Sequence, residues 1–241
     1  GRVFEQENVD WLREIVETGH PVGNHTYDHV NVKAKTAEDL QFRFRRVPWL
    51  VEGRTTDDII VENIRLTTEA MKNRIGVSPT GFRTPGGFNN GLHDVPEIQQ
   101  LLLDQGYRWV SSLYPAHQAD ITNAANWNDV LQDIVAKQQA SQPFVYPSGL
   151  IEIPMSPVSD VSTFRSHQWK LDQFLEAIKA AVSWTIDHGA VFDFLAHPSC
   201  LYVTDPEFRT IDMICDLVRK SPDKAEFADL DRIAQRAAKS R

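Results

Sequence analysis

Apolar positions along the chain fall into stretches of helical period that alternate with short apolar runs. Val9, Leu12, Ile15 and Val16 make one helical stripe that stops at Gly19, and Pro21-Val22-Gly23 then reads as a short strand entering a loop. Ile60, Ile64, Met71 and Ile75 mark a longer helix ending at Gly76. Thr80 to Arg83 is strand-like. The helix after it takes Pro96 in its first turn, places Leu101 and Leu102 on its inner face and closes at Gly106, before a strand at Tyr107 to Val110. Residues 115 to 148 break the rhythm, being rich in Asn, Gln, Ala and Pro. They read as a long excursion with one helix near Trp127 to Lys137, and long excursions in compact domains are often binding loops. Leu150 to Ile153 restores a strand, Leu171 to His188 is a strong amphipathic helix, and Val191 to Ala196 is a nearly all-apolar strand suited to burial on both faces. A helix from Pro206 to Lys220, a strand at Glu226 to Ala228 and a helix from Leu230 to Ala238 complete the pattern. Six strands alternating with helices predict an α/β fold with parallel strands, and nothing in composition or repeat structure divides the chain, so 1–241 reads as one domain.

Composition narrows the function. With 241 residues, 41% of them hydrophobic, the chain can bury one large core. A formal net charge of -8 leaves no basic stripe of the kind that phosphate-backbone binding needs, which argues against nucleic acid as a partner. The two cysteines, Cys200 and Cys215, suggest neither a disulfide framework nor a cysteine metal site. No apolar run approaches the roughly 20 residues of a membrane span, and the first residues lack a basic stretch followed by an apolar one. A signal peptide before Gly1 would make the protein secreted or periplasmic; otherwise it is cytoplasmic.

Three places carry candidate chemistry. His25-Thr26-Tyr27-Asp28-His29 lies just past a strand end, and its two histidines, four apart, can bring neutral imidazoles to one face, where they suit zinc or another borderline divalent cation. With eight histidines in the chain, chance alone predicts roughly 0.3 such pairs, so a surface pair is the competing reading. Arg83-Thr84-Pro85-Gly86-Gly87 again follows a strand; two glycines after a proline let backbone N–H groups approach a ligand closely, although Pro-Gly is also a common turn. His197 follows the apolar strand and precedes Pro198, where open and barrel-type α/β proteins place active sites, against the alternative of a core histidine.

Taken together these residues resemble the NodB-type polysaccharide deacetylases, carbohydrate esterase family four. His25 and His29 match the family's second motif, a histidine pair of the form His-Ser/Thr-x-x-His, preceded by the family-like Gly23-Asn24. Arg83, Pro85 and Gly87 match its third, Arg-x-Pro-x-Gly, and Leu195 with His197 match its fifth. Even Glu226-Phe227-Ala228-Asp229-Leu230 is similar to the family's last strand and helix, so the resemblance covers nearly the whole chain. The first motif, Thr-Phe-Asp-Asp-Gly, has no counterpart here, and only 24 residues, beginning with a helix, precede His25. The expected fold is therefore an incomplete (β/α) barrel whose first strand is cut off. Its open edge beside Pro21 to Gly23 is expected to be unpaired, filled by another stretch, or covered by a second copy in a homo-oligomer. The fourth motif also differs: Trp109-Val110-Ser111-Ser112 stands where relatives often carry Asp-Ser-Ser or Asp-Trp, which leaves the acidic partner of Arg83 open.

The resemblance implies a metal-dependent hydrolase that removes N-acetyl groups from N-acetylglucosamine polymers such as chitin or peptidoglycan. His25 and His29 would hold a divalent metal, zinc or cobalt. Arg83 would orient the base, the N–H of Gly86 would help to hold the oxyanion, and His197 would act as general acid. Asp28 reads as loop structure. The 241 residues alone, without the aspartates of the first motif, are expected to be inactive. Two alternatives accompany this reading: a hydrolase of cyclic amides or allantoin-like small molecules, and a carbohydrate-binding module without catalysis.

Overall fold

The computed structural model describes residues 1–117 and 126–239. Helix α1 (Asp10–Glu17) is followed by extended chain, two short helices α2 (Ala37–Leu40) and α3 (Phe42–Arg46), and the long helix α4 (Thr56–Ile75). Thr55 starts α4 because its hydroxyl oxygen accepts from the Asp58 N–H at 3.1 Å while the Asp58 carboxylate accepts from the Thr55 N–H at 3.2 Å, a reciprocal cap. Gly76, in the left-handed conformation at φ 70°, ends it. Ile60, Ile64, Met71 and Ile75 all face inward, as their spacing predicts.

Strand β1 (Gly81–Phe88) pairs in parallel with β2 (Trp109–Leu113), with helix α5 (Pro96–Asp104) as the crossover, and β2 pairs in parallel with β4 (Ile151–Glu152). Between them in the chain lie α6 (Trp127–Ala140) and β3 (Phe144–Val145), which runs antiparallel to β4 after a tight turn closed at Gly149. The sheet order is β1-β2-β4-β3. The rest is helical: α7 (Leu171–His188), α8 (Pro198–Thr204), α9 (Arg209–Arg219) and α10 (Leu230–Lys239), preceded by a π-helical turn at Val161–Ser166. One core packs Ile60, Ile64, Phe82, Leu102 and Val110 between α4, α5 and the sheet. A second packs Ile134, Phe174, Ile178 and Leu201 around α6 and α7. No helix among the described residues is long and apolar enough to cross a membrane.

The α/β character and the parallel sense are as the pattern predicts, but the count of six strands is not. The stretch entering the histidine loop is reduced to a single parallel bridge, Asn24 to Phe82, because Pro21 has no N–H to give a ladder. The run at 191–196 likewise keeps one bridge, Leu195 to Ser159, beside a Ser156 N–H bond to the Asp193 carbonyl. Each of these extended segments bridges on one side only among the described residues, and a ladder needs a neighbour along its length. At 226–228 there is no strand at all; Glu226 turns outward to Arg232 and Arg236. The expected helix from Pro206 begins at Arg209, because Asp205 caps it by accepting from the N–H groups of Arg209 and Thr210. Several elements are not expected from the sequence: the helical excursion at 37–50, β3, the π-helical turn and α8. Within the excursion read at 115–148, residues 118–125 lie outside the described ones.

Gly81 shows how closely β1 meets its neighbour: a Cβ built there would run into the indole ring of Trp109, whose Nε1 donates to Asp231 at 2.6 Å. Gly81→Ala should therefore force the ring and its hydrogen bond out of place and cost about 1–3 kcal/mol. In a chain of this size that lowers the melting temperature by roughly 2–12 °C, readable by thermal denaturation. An unchanged melting temperature would show that the ring is not wedged against this strand.

Candidate active site

The site is built on Asn24, whose amide is wholly buried at the end of the extended segment. Its nitrogen donates to the Ile64 carbonyl at 2.9 Å and to the Tyr107 hydroxyl at 2.7 Å, and its oxygen accepts from the Thr26 N–H at 2.8 Å. The chain beyond it turns sharply, with Thr26 and His29 both in the left-handed region at φ 61° and 59°. Such a turn is held only if its polar groups are satisfied. Thr26 Oγ1 accepts from the Val30 N–H, and Asn63 on α4 accepts from the Asp28 N–H. The result places the rings of His25 and His29 4.9 Å apart, edge to face.

His25 Nδ1 donates to the Arg83 carbonyl at 2.8 Å, so the first and second sequence motifs meet by a direct bond. That bond fixes the neutral tautomer with the proton on Nδ1 and frees Nε2 as a lone-pair donor. Burial pushes the His25 pKa down to about 4, with the bond to the Arg83 carbonyl acting in the opposite direction. His29 is lowered as well, chiefly by burial and to a lesser extent by the charge of His197. Arg83 reaches across the sheet to Asp193, Nη2 to Oδ2 at 2.5 Å, and Ser111 donates to the same oxygen at 3.1 Å. Its other terminal nitrogen, Nη1, is buried without a hydrogen-bond partner among the described residues. His197 caps the start of α8; its Nδ1 lies 2.8 Å from Oδ1 of the fully buried Asp160, whose Oδ2 accepts from the His197 N–H at 2.6 Å. Half of the His197 side chain remains exposed, at 50%. Gly86 sits at φ 78° with open space where a Cβ would stand, and Thr84 Oγ1 donates to its carbonyl at 2.7 Å. A Cβ on Gly87 would instead collide with Tyr114.

Of the five residues singled out in the sequence, Arg83 and Gly86 thus lie within β1, His25 and His29 on the loop after the Asn24 bridge, and His197 at the start of α8. Asp28 is held in the loop by Arg43. The acidic partner of Arg83 is Asp193, one polar position inside an apolar run, and that interruption is the signal that could have found it. Asp160 had no comparable signal. Among the described residues no group of three or more His, Cys, Asp or Glu side chains could hold a metal, so the histidine pair offers two ligands. A cavity of about 500 Å³ runs under the pair, lined by Val22, His25, Arg83, Trp109 and Asp231 among others.

A family model described as polysaccharide deacetylase matches residues 2–110, which include the histidine pair and the Arg83 motif. Over these residues, somewhat under half of the chain, the sequence is similar to the polysaccharide deacetylases. The fold of nearly the whole chain is similar to that of a Mycobacterium smegmatis protein assigned to the polysaccharide deacetylases, at TM-score 0.64 and 17% identity over 96% of this chain and 67% of that one. A Pseudomonas aeruginosa PAO1 protein with the same assignment follows at TM-score 0.61 and 14% identity, covering 94% and 62%, and Puue allantoinase at 0.58 and 14%, covering 94% and 61%. The chain therefore spans about two thirds of the length of these structures. No curated protein matches it.

The buried His25 gives a pH prediction for the metal-free protein. Its folded pKa near 4 lies below the ordinary value of 6.5, so the stability it contributes is complete above pH 6.5 and lost as pH falls toward 4. Urea denaturation in the presence of a chelator should show that loss, and His25→Gln, which cannot titrate, should flatten it. An identical pH slope in the variant would remove His25 as the cause.

Proposed function

We propose that the protein hydrolyses the acetamide bond of N-acetylglucosamine-type polysaccharides, with a divalent metal, zinc or cobalt, held by His25 and His29. The observation that supports this most is the joining of two distant motifs: His25 donates through Nδ1 to the backbone carbonyl of Arg83. The histidine pair fits a metal in its chemistry, because burial keeps His25 neutral at ordinary pH and its Nδ1 bond leaves Nε2 free to ligate. A bound divalent ion would supply Lewis acidity toward the amide carbonyl and toward water.

The chain's own residues do the rest in this reading. Arg83, anchored on Asp193, keeps Nη1 for a carboxylate base of the kind the family's first motif supplies. Gly86 offers a backbone N–H free of side-chain cover, on a peptide steadied by Thr84. His197, steadied by Asp160 at Nδ1, gives its other proton to the leaving amine as the C–N bond breaks and the water oxygen joins the acyl carbon. Hydrolysis of cyclic amides or allantoin-like small molecules is the second reading, favoured only by the fold shared with an allantoinase.

Two measurements test this. Metal content by elemental analysis should fall to background in a His25→Ala, His29→Ala double variant, and equal stoichiometry would refute the ligand assignment. His197→Ala should keep fold and metal while lowering turnover on chitooligosaccharides by roughly 10²- to 10⁴-fold, with Asp160→Asn moving in the same direction. Turnover on allantoin but not on the oligosaccharide would transfer the assignment to the second reading. Loss of thermal stability with full turnover in the surviving molecules would make His197 structural.

A further inference from the structure

The segment after the histidine loop, residues 41–51, carries Arg43, Arg45 and Arg46 interleaved with Phe42, Phe44 and Trp49, and no acidic residue, in a chain with 33 acidic and 25 basic side chains. Phe44 is buried and anchors the segment, whereas Phe42 and Trp49 are each 65% exposed. Arg43 is engaged with Asp28. Arg45 donates through Nε to the Glu38 carbonyl at 3.0 Å, and the Arg46 guanidinium stands 5.7 Å from the Phe42 ring centre; neither pairs with a carboxylate among the described residues. Gln41 donates to the Asp28 carbonyl at 3.1 Å, next to His29. The segment is thus attached to the loop that carries His25 and His29 and borders the site.

Scattered surface apolar groups need no explanation, but two large aromatics exposed within eight residues beside two unpaired guanidiniums mark a surface kept for a partner. Ring faces stack on the C–H faces of pyranose sugars, and planar guanidiniums grip carboxylates. We propose that Phe42, Arg45, Arg46 and Trp49 bind the non-reacting sugars of a carboxylated glycan while one residue of the same chain reaches His25, His29 and His197. The proposal rests on the polysaccharide reading of the site and adds the acidic character of the polymer. A lipid surface fits less well, because α3 has only five residues and presents no continuous apolar face.

The test is calorimetric titration of the full protein with hyaluronan oligosaccharides and with neutral chitooligosaccharides of equal length. The wild type should favour the carboxylated ligand by about tenfold at low salt, and about 0.5 M salt should erase the preference. Arg45→Gln with Arg46→Gln should abolish the preference while leaving neutral binding within twofold, and Trp49→Ala should weaken both ligands several-fold, all at unchanged melting temperature. A preference that survives the double Gln change, no glycan binding by the wild type, or Arg-dependent binding to phosphatidylglycerol vesicles without glycan preference would overturn the proposal. Normal binding by a wild type that deacetylates nothing would sink the catalytic reading and leave the strip standing.

Discussion

The buried amide of Asn24 is the constraint on which the site hangs. A primary amide removed from water must find partners for both its ends or cost several kcal/mol, and here those partners lie on three separate elements. Its donors go to α4 and to Tyr107 at the start of β2, and its acceptor holds the next turn of its own loop. The position of His25 is thus tied to the helix and the sheet together, although its strand contributes only one bridge. Precision comes from hydrogen-bond satisfaction where a ladder would ordinarily supply it.

Charge is handled in the same manner around the loop. Arg83 and Asp193 neutralise each other across the sheet, and Asp160 spends both oxygens on His197. Glu152, fully buried on β4, is met by the N–H groups of Ser112 and Leu113 and by the hydroxyls of Ser112 and Tyr146, while burial raises its pKa. These pairs are weak sources of net stability because desolvation offsets their attraction. What they provide is fixed orientation of Arg83 on β1, of β2 beside β4, and of His197 at the start of α8.

Much of this was legible in the sequence where one periodicity governs a long segment. The stripe from Ile60 to Ile75 sits on α4, and the strand-like runs near Thr80, Tyr107 and Leu150 are β1, β2 and β4. Local pattern failed where pairing depends on a neighbour: 191–196 is apolar enough for a central strand yet bridges only at Leu195. It also failed at 37–50, whose short helices are fixed by Phe44 and Leu40 packing into the core and not by propensity. The histidine pair, Arg83, Gly86 and His197 could be named because glycine, proline and histidine at strand ends are rare and chemically specific. Asp160 could not, since an aspartate followed by a helical turn is ordinary in any sequence and acquires its importance only from the partner that folds against it.

The left-handed residues Thr26 and His29 have a consequence for how a ligand is captured. Backbone held in that region by non-glycine residues costs on the order of 1–3 kcal/mol each, and here it is sustained by the protein alone through Asn24 and Asn63. A ligand that binds there, such as the ion proposed above, would meet a loop whose ordering entropy has already been lost during folding, and its departure would leave a cradle of the same shape without refolding.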